Sequence, residues 1–157
     1  MHAHILFDTA PLGATIAFSD GTPKPPARFT KKLSAWENRN GTGRLTSKIA
    51  ATMIGSHHHA AGFALHLATY SSHGTPILVV TRHYSVNSTL DFEIIDRPTL
   101  GMVRILKHFG ATTELLHLAA NTEAAEHWLQ HHRYTDAVLD VVSDTEPGSD
   151  IVLGRAA

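Results

Sequence analysis

The sequence predicts an α+β fold: a mainly antiparallel sheet, its central meander spanning about residues 63–96, with helices packed against one face. Two observations carry that expectation. The stretch from Gly62 to Asp96 holds three runs of strand-forming residues, each closed by turn chemistry. Strands outnumber helices slightly and cluster as hairpins instead of alternating strictly with helices, so short turns make them antiparallel neighbours.

In chain order, His2 to Phe7 and Ala14 to Ser19 read as two short strands around Pro11-Leu12-Gly13. Residues 20–28 form a Pro-rich loop of extended character. Ala27 to Arg39 carries Phe29, Leu33 and Trp36 at helical spacing, and Asn40-Gly41-Thr42-Gly43 ends that helix. Thr46 to about His59 reads as a second helix, capped by Thr46, with Ile49, Met53 and Ile54 as its apolar stripe.

The central stretch follows. Phe63, Leu65 and Leu67 alternate with Ala64, His66 and Ala68, the period of a strand with one buried face. Ser71 to Pro76 is a turn. Ile77 to Tyr84 is a second strand whose first half is apolar on both faces, as expected of a central strand covered on both sides. Asn87 and Ser88 make a turn, and Leu90, Phe92 and Ile94 then alternate with Asp91, Glu93 and Ile95 until Arg97-Pro98. Hairpins pivoting at Gly74 and between Asn87 and Ser88 set a register. It puts His66 opposite Arg82, Arg82 opposite Glu93, and Tyr84 near Asp91. Leu65, Leu67, Val79, Thr81, Phe92 and Ile94 fall on the core face.

Beyond it, Asp96 or Thr99 caps an expected third helix, with Met102, Val103, Leu106 and Phe109 buried and Gly110 as its stop. Thr112 to Leu118 reads as a strand. Asn121 or Thr122 caps a fourth helix with Ala125, Trp128 and Leu129 inward, and Ala137 to Val142 is a last strand. That helix–strand–helix–strand order allows a parallel pairing. Residues 144–157 are expected to fray.

At 157 residues, one domain is the default. The absence of cysteine removes disulfides, thiolate catalysis and zinc–thiolate sites, and makes the cytoplasm the simplest location. No stretch is long and apolar enough to cross a membrane, and MHAHILFDTA lacks the regions of a signal peptide. Thirteen histidines make the net charge climb as pH falls through about 6.5, so solubility or assembly is expected to respond to mild acid.

Four groups could carry chemistry. Lys24, Arg28, Lys31, Lys32, Arg39, Arg44 and Lys48 cluster against Glu37 alone; they could neutralise phosphates while Phe29 or Trp36 stacks a base. Otherwise they are a solvated face with its aromatics turned inward. His57-His58-His59 cannot all reach one ion from a helix, since neighbours point about 100° apart. Glu123, His127 and His131, spaced by fours, could offer two imidazoles and a carboxylate to zinc, or form an exposed stripe. His66, Arg82, Tyr84, Asp91 and Glu93 would share one sheet face. They could floor a small-molecule pocket with His66 as acid–base group and Arg82 as anion clamp, form half of a dimer interface, or simply face water.

No phosphate-cradling GxxxxGK[ST] and no GxSxG elbow occurs, and Gly41-Thr42-Gly43 is no dinucleotide fingerprint. No cofactor is implied. The leading expectation is a non-enzymatic interaction module that self-associates as a homodimer or higher oligomer. Nucleic-acid binding through Lys24 to Lys48, and a small-molecule site at His66, Arg82 and Glu93, are the alternatives.

Overall fold

The computed structural model describes residues 1–143. The expected tail at 144–157 lies outside the described residues. The elements run α1 (Ala3–Thr9), β1 (Thr15–Ser19), α2 (Thr30–Glu37), β2 (Gly41–Ile49), β3 (Thr52–Ile54) and β4 (His57–His59). They continue with β5 (Gly62–Ser72), β6 (Thr75–Ser85), β7 (Asp91–Asp96), β8 (Val103–Phe109), β9 (Thr112–Ala119), α3 (Thr122–His131) and β10 (Val138–Val141). Eight strands join in one sheet, and β3 and β4 form a separate hairpin. All pairings are antiparallel, including β10 with β8, where a parallel pair had been allowed.

The sheet branches at β2. One edge of β2 pairs with β1 through Gly41–Arg44 and reaches β9 at Ser47; the other edge pairs with β5 through Arg44–Ile49. The order is therefore β6-β5-β2-β1-β7 on one branch and β10-β8-β9-β2 on the other. The first branch curls into a half-barrel. Tyr84 of β6 and Phe92 of β7 start from its opposite ends, yet their rings lie 5.4 Å apart.

Several expectations are corrected. His2 to Phe7 is not a strand but most of helix α1: Ala3, Leu6 and Ala10 are all buried, a helical spacing that the apparent alternation hid. Gly41, Thr42 and Gly43 open a strand rather than end a helix. Thr46 to His59 is not a helix. It is the end of β2 followed by the β3–β4 hairpin, and Met102 to Phe109 is likewise strand β8. In both places a glycine read as helical or as a helix stop is a hairpin pivot. Gly55 (φ 63°) and Gly110 (φ 59°) each lead a two-residue turn, the pattern of type II′, which needs a positive φ first.

The central meander holds for its first hairpin only. β5 and β6 pair around His73-Gly74, but β7 leaves β6 and pairs with β1. Arg82 therefore lies opposite Leu65, and His66 opposite Thr81. Glu93 lies opposite Ala17, nowhere beside Arg82. Strand β6 is an edge and not a covered central strand. Val79 and Thr81 are exposed, whereas Leu65 and Phe92 are buried as expected.

Two apolar clusters hold the sheet. The larger gathers Ala3, Leu6, Ile16, Phe18, Leu45, Phe63, Leu65 and Phe92 inside the half-barrel. The smaller gathers Val103, Ile105, Ala119 and Ala125, with Trp128 and Leu129 against it. The helices do not form one layer: α1 packs on β7, α3 on β8, β9 and β10, and α2 buries no residue. Asn121 caps α3 by accepting the Ala124 N–H at 2.8 Å, as its sequence position implied.

Arg104 joins the two clusters. Its side chain is 5% exposed; Nε donates to the Leu12 carbonyl at 2.7 Å, and Nη1 pairs with Asp140 at 3.0 Å. The Asp140 side chain is 47% exposed, so water can serve it when Arg104 is gone. Arg104→Ala is expected to lower unfolding free energy by about 2–3 kcal/mol, through lost charge-assisted bonds and an orphaned carbonyl. Asp140→Ala is expected to cost a comparable amount, about 1.5–3 kcal/mol, because it takes a charge-assisted bond from a buried guanidinium. Urea unfolding of both variants checks the two values.

Candidate functional site

The five residues expected on one sheet face are dispersed. His66 and Arg82 sit on opposite faces of the β5–β6 hairpin, because Arg82 shares a face with its partner Leu65 and His66 with Thr81. The His66 ring bonds the Thr69 hydroxyl at 2.7 Å. Arg82 reaches sideways to Asn38, donating to its backbone oxygen and, at 3.3 Å, to its side-chain oxygen. Tyr84 turns inward, its ring among Phe18, Phe63 and Phe92 at 5.4–5.7 Å. Among the described residues its buried hydroxyl has no hydrogen-bond partner, and burial raises its pKa against the opposing influence of Arg82. Asp91 and Glu93 instead line a shallow depression of about 370 Å³ with Met1, Ala17, Phe18, Ser19 and Phe92.

The basic segment divides: three of its cations are held one by one, and four stay exposed. Arg39 pairs with Asp20 at 3.3 Å. Arg44 donates to the Gly13 carbonyl at 3.2 Å. Lys48 lies half-buried over the Phe7 ring, and burial lowers its pKa despite nearby Asp8. Lys24, Arg28, Lys31 and Lys32 stay together on the loop and α2, all exposed. Among the described residues none of these four has a carboxylate at ion-pair distance. Phe29, 41% exposed, stands among them with Arg28 and Lys32 over its ring, and Lys24 lies over Trp36. The aromatics of this segment do not turn into the core.

What holds α2 in place is polar. Buried Asn40 accepts from the Ser19 hydroxyl at 2.7 Å and the Asp20 N–H at 3.1 Å. It donates to the Asp20 carboxylate at 3.0 Å and the Trp36 carbonyl at 2.9 Å. Trp36 Nε1 donates to the Thr22 carbonyl at 2.9 Å. Asp20 also accepts from the hydroxyl and the N–H of Thr22. The Thr22 bonds, then Asn40, then the charge of Arg39 hold the Asp20 pKa down at about 2.

The histidine groups gather no metal-ligand set: among the described residues no three His, Cys, Asp or Glu side chains come together in that way. His57, His58 and His59 form exposed strand β4, so His58 points away from its neighbours. His127 and His131 have rings 4.5 Å apart, and His131 Nδ1–H donates to the His127 carbonyl at 2.8 Å. Glu123 lies in the first turn of the same helix. His117 stacks on Trp128, which stacks on His132 at 3.8 Å and on Tyr134 at 5.8 Å. Partial burial first, then the charges of His132 and Arg44, lower the His117 pKa.

The outer β5–β6 hairpin is poorly covered. Strand β5 pairs with β2 only through Gly62–His66, so Ala68 to Val80 is a two-stranded arm bonded to itself. Tyr70 is 59% exposed, Ile77 71%, Leu78 53% and Val79 55%.

Residues 1–146 match the model of the family described as Uncharacterised conserved protein UCP036055. The chain belongs to that family. No curated protein and no solved structure matches it. Family membership thus adds no reaction, ligand or partner to what the geometry offers.

Three features escaped the sequence reading: the Asn40 clasp, the Trp128 stack and the projecting arm. The clasp left one legible sign, since Asp20 and Thr22 two apart form an Asx-type turn. For Asn40→Ala, amides of residues 20–40 are expected to lose protection in hydrogen exchange while melting temperature changes little, because α2 buries no residue. The folded Asp20 pKa, about 2, lies below its usual 3.8. The carboxylate bonds therefore stabilise fully above the usual value and are lost as pH falls through the folded one. The same exchange signature should appear in the parent protein only below about pH 4.

Proposed function

We propose that this family member is a non-enzymatic interaction module that self-associates, as a homodimer or a higher oligomer, in the cytoplasm. The observation that carries this reading is the β5–β6 arm. It leaves four large apolar side chains in water on a ribbon that its own sheet does not support. A lone two-stranded hairpin is marginal in water, and apolar side chains exposed on both of its faces favour a contact that covers them. The dispersal of His66, Arg82 and Glu93 supports an interaction role over a small-molecule site at those residues. Light scattering at micromolar concentration is expected to show a dimer or larger, and Ile77→Lys to shift it to monomer without loss of fold. A monomeric parent protein would overturn the reading.

A second reading has its own observation: Lys24, Arg28, Lys31 and Lys32, none of them at ion-pair distance from a carboxylate among the described residues, lie exposed on the loop and on α2, with Arg28 and Lys32 over exposed Phe29. Such a surface suits single-stranded nucleic acid, with phosphates on Lys24, Arg28, Lys31 and Lys32 and a base on Phe29. Retention on immobilised single-stranded DNA at low salt is expected. Binding should fall steeply with salt and weaken for Lys31→Ala/Lys32→Ala. Flow-through at low salt would remove this reading.

A further inference from the structure

We infer that the partner of the arm is a second copy of this chain, joined by antiparallel pairing of β6 with β6 about a two-fold axis at Val79. This rests on the self-association reading and specifies its surface. Among the described residues strand β6 pairs with β5 on one side and with nothing on the other, so its outer backbone groups form an open ladder.

Folded proteins blunt such edges with charge, proline, shortness or cover. The other branch ends do so. Strand β7 carries Asp91, Glu93 and Asp96, and Met1 covers its rim by exchanging hydrogen bonds with Phe92 at 2.7 and 2.9 Å. Strand β10 is four residues long and holds Asp140. Among the described residues the segment Ile77-Leu78-Val79-Val80-Thr81 carries no charge, proline or cover; its one irregularity is the bulge that pairing with β5 places at Ile77, at the outer end of the segment.

Its two ends are marked. On one side Pro76 has no N–H to give, and on the other Arg82 is already bound to Asn38. What remains free is five residues centred on Val79. A two-fold there sets Val79 against its own copy, Leu78 against Val80, and Ile77 against Thr81. Arg82 would meet Pro76, so no like charges are opposed. Opposite residues in an antiparallel pair share a face, so Ile77, Val79 and Thr81 would form one apolar strip. Leu78 and Val80 would form the other, beside Tyr70, which already pairs with Leu78 within the arm. The contact is isologous and closes at two copies, and a closed pair leaves no open β6 edge to propagate aggregation.

The absence of cysteine makes the register directly readable, since any introduced thiol is the only one present. Single substitutions Ile77→Cys, Leu78→Cys, Val79→Cys, Val80→Cys and Thr81→Cys are oxidised under mild conditions. Val79→Cys is expected to form the cross-linked dimer roughly tenfold faster than its four neighbours, because only there do Cβ atoms of two copies come within disulfide reach. Mixing Ile77→Cys with Thr81→Cys should cross-link faster than either alone. A maximum at another position, or a flat profile while light scattering still shows a dimer, overturns this inference and leaves self-association standing. A monomer throughout overturns both. Hydrogen exchange of the unmodified protein is a second measure: Ile77–Thr81 amides should slow with rising concentration, and concentration-independent exchange there would count against the pairing.

Discussion

The architecture depends on β2 serving three neighbours at once. Within nine residues it holds β1 and β9 on one edge and β5 on the other. No flat sheet allows one edge to take two strands in succession, so the register must shift, and it does between Leu45 and Ser47 on the β5 side. Leu45 stays anchored across the shift: its N–H donates to the Ala14 carbonyl at 2.9 Å and its carbonyl accepts from Gly13 at 2.8 Å. Gly43 makes the approach of β5 possible. A Cβ there would lie 2.8 Å from Leu67 Cδ2 and 3.1 Å from the His66 carbonyl, so a side chain would displace Leu67 and push the β5 backbone back by a few tenths of an ångström.

Once β2 bends, the rest of the first branch must curl, and the curl is closed by rings. Phe63 meets Phe92 edge-on at 5.2 Å, and Tyr84 meets Phe92 at 5.4 Å, in the geometry that the ring quadrupoles favour. Each such pair is worth about 0.5–1.5 kcal/mol beyond its buried area. The second branch leans on the first through Arg104 and its bond to the Leu12 carbonyl, so that joint is polar where the half-barrel interior is greasy. Two differently built halves meet at one strand.

The sequence made the strands of the half-barrel legible and their partners obscure. Period two in Phe63, Leu65 and Leu67 located β5, and Asn121 located the start of α3. Pairing is a long-range property. Nothing local to Phe92 tells it to seek Phe18, 74 residues earlier, instead of β6 just behind it. Register failed for the same reason: one bulge between His66 and Ala68 shifts the pairs from Ala68 to Tyr70, a second between Tyr70 and Ser71 shifts them back, and no residue type advertises either. Met102 to Phe109 was ambiguous in principle. Val103, Arg104 and Ile105 are all buried, so this strand shows no alternation, and a short run without alternation fits either period. The expected polar face failed at Tyr84 because a phenol is mostly hydrocarbon; its ring found a core although its hydroxyl found no partner among the described residues.

Helix α2 and the β5–β6 arm both stand outside the two cores, and they are held in opposite ways. Helix α2 is tethered by hydrogen bonds around Asn40 and needs no apolar burial to keep its place. The β5–β6 arm has backbone bonds within itself but no polar tether beyond Arg82 and Asn38. That one tether joins the two: Asn38 is the C-cap of α2 and Arg82 marks where β6 leaves the core. The two outlying parts therefore touch through a single guanidinium, while the seat of α2 is set by the Asn40 bonds to β1 and to its own last turn.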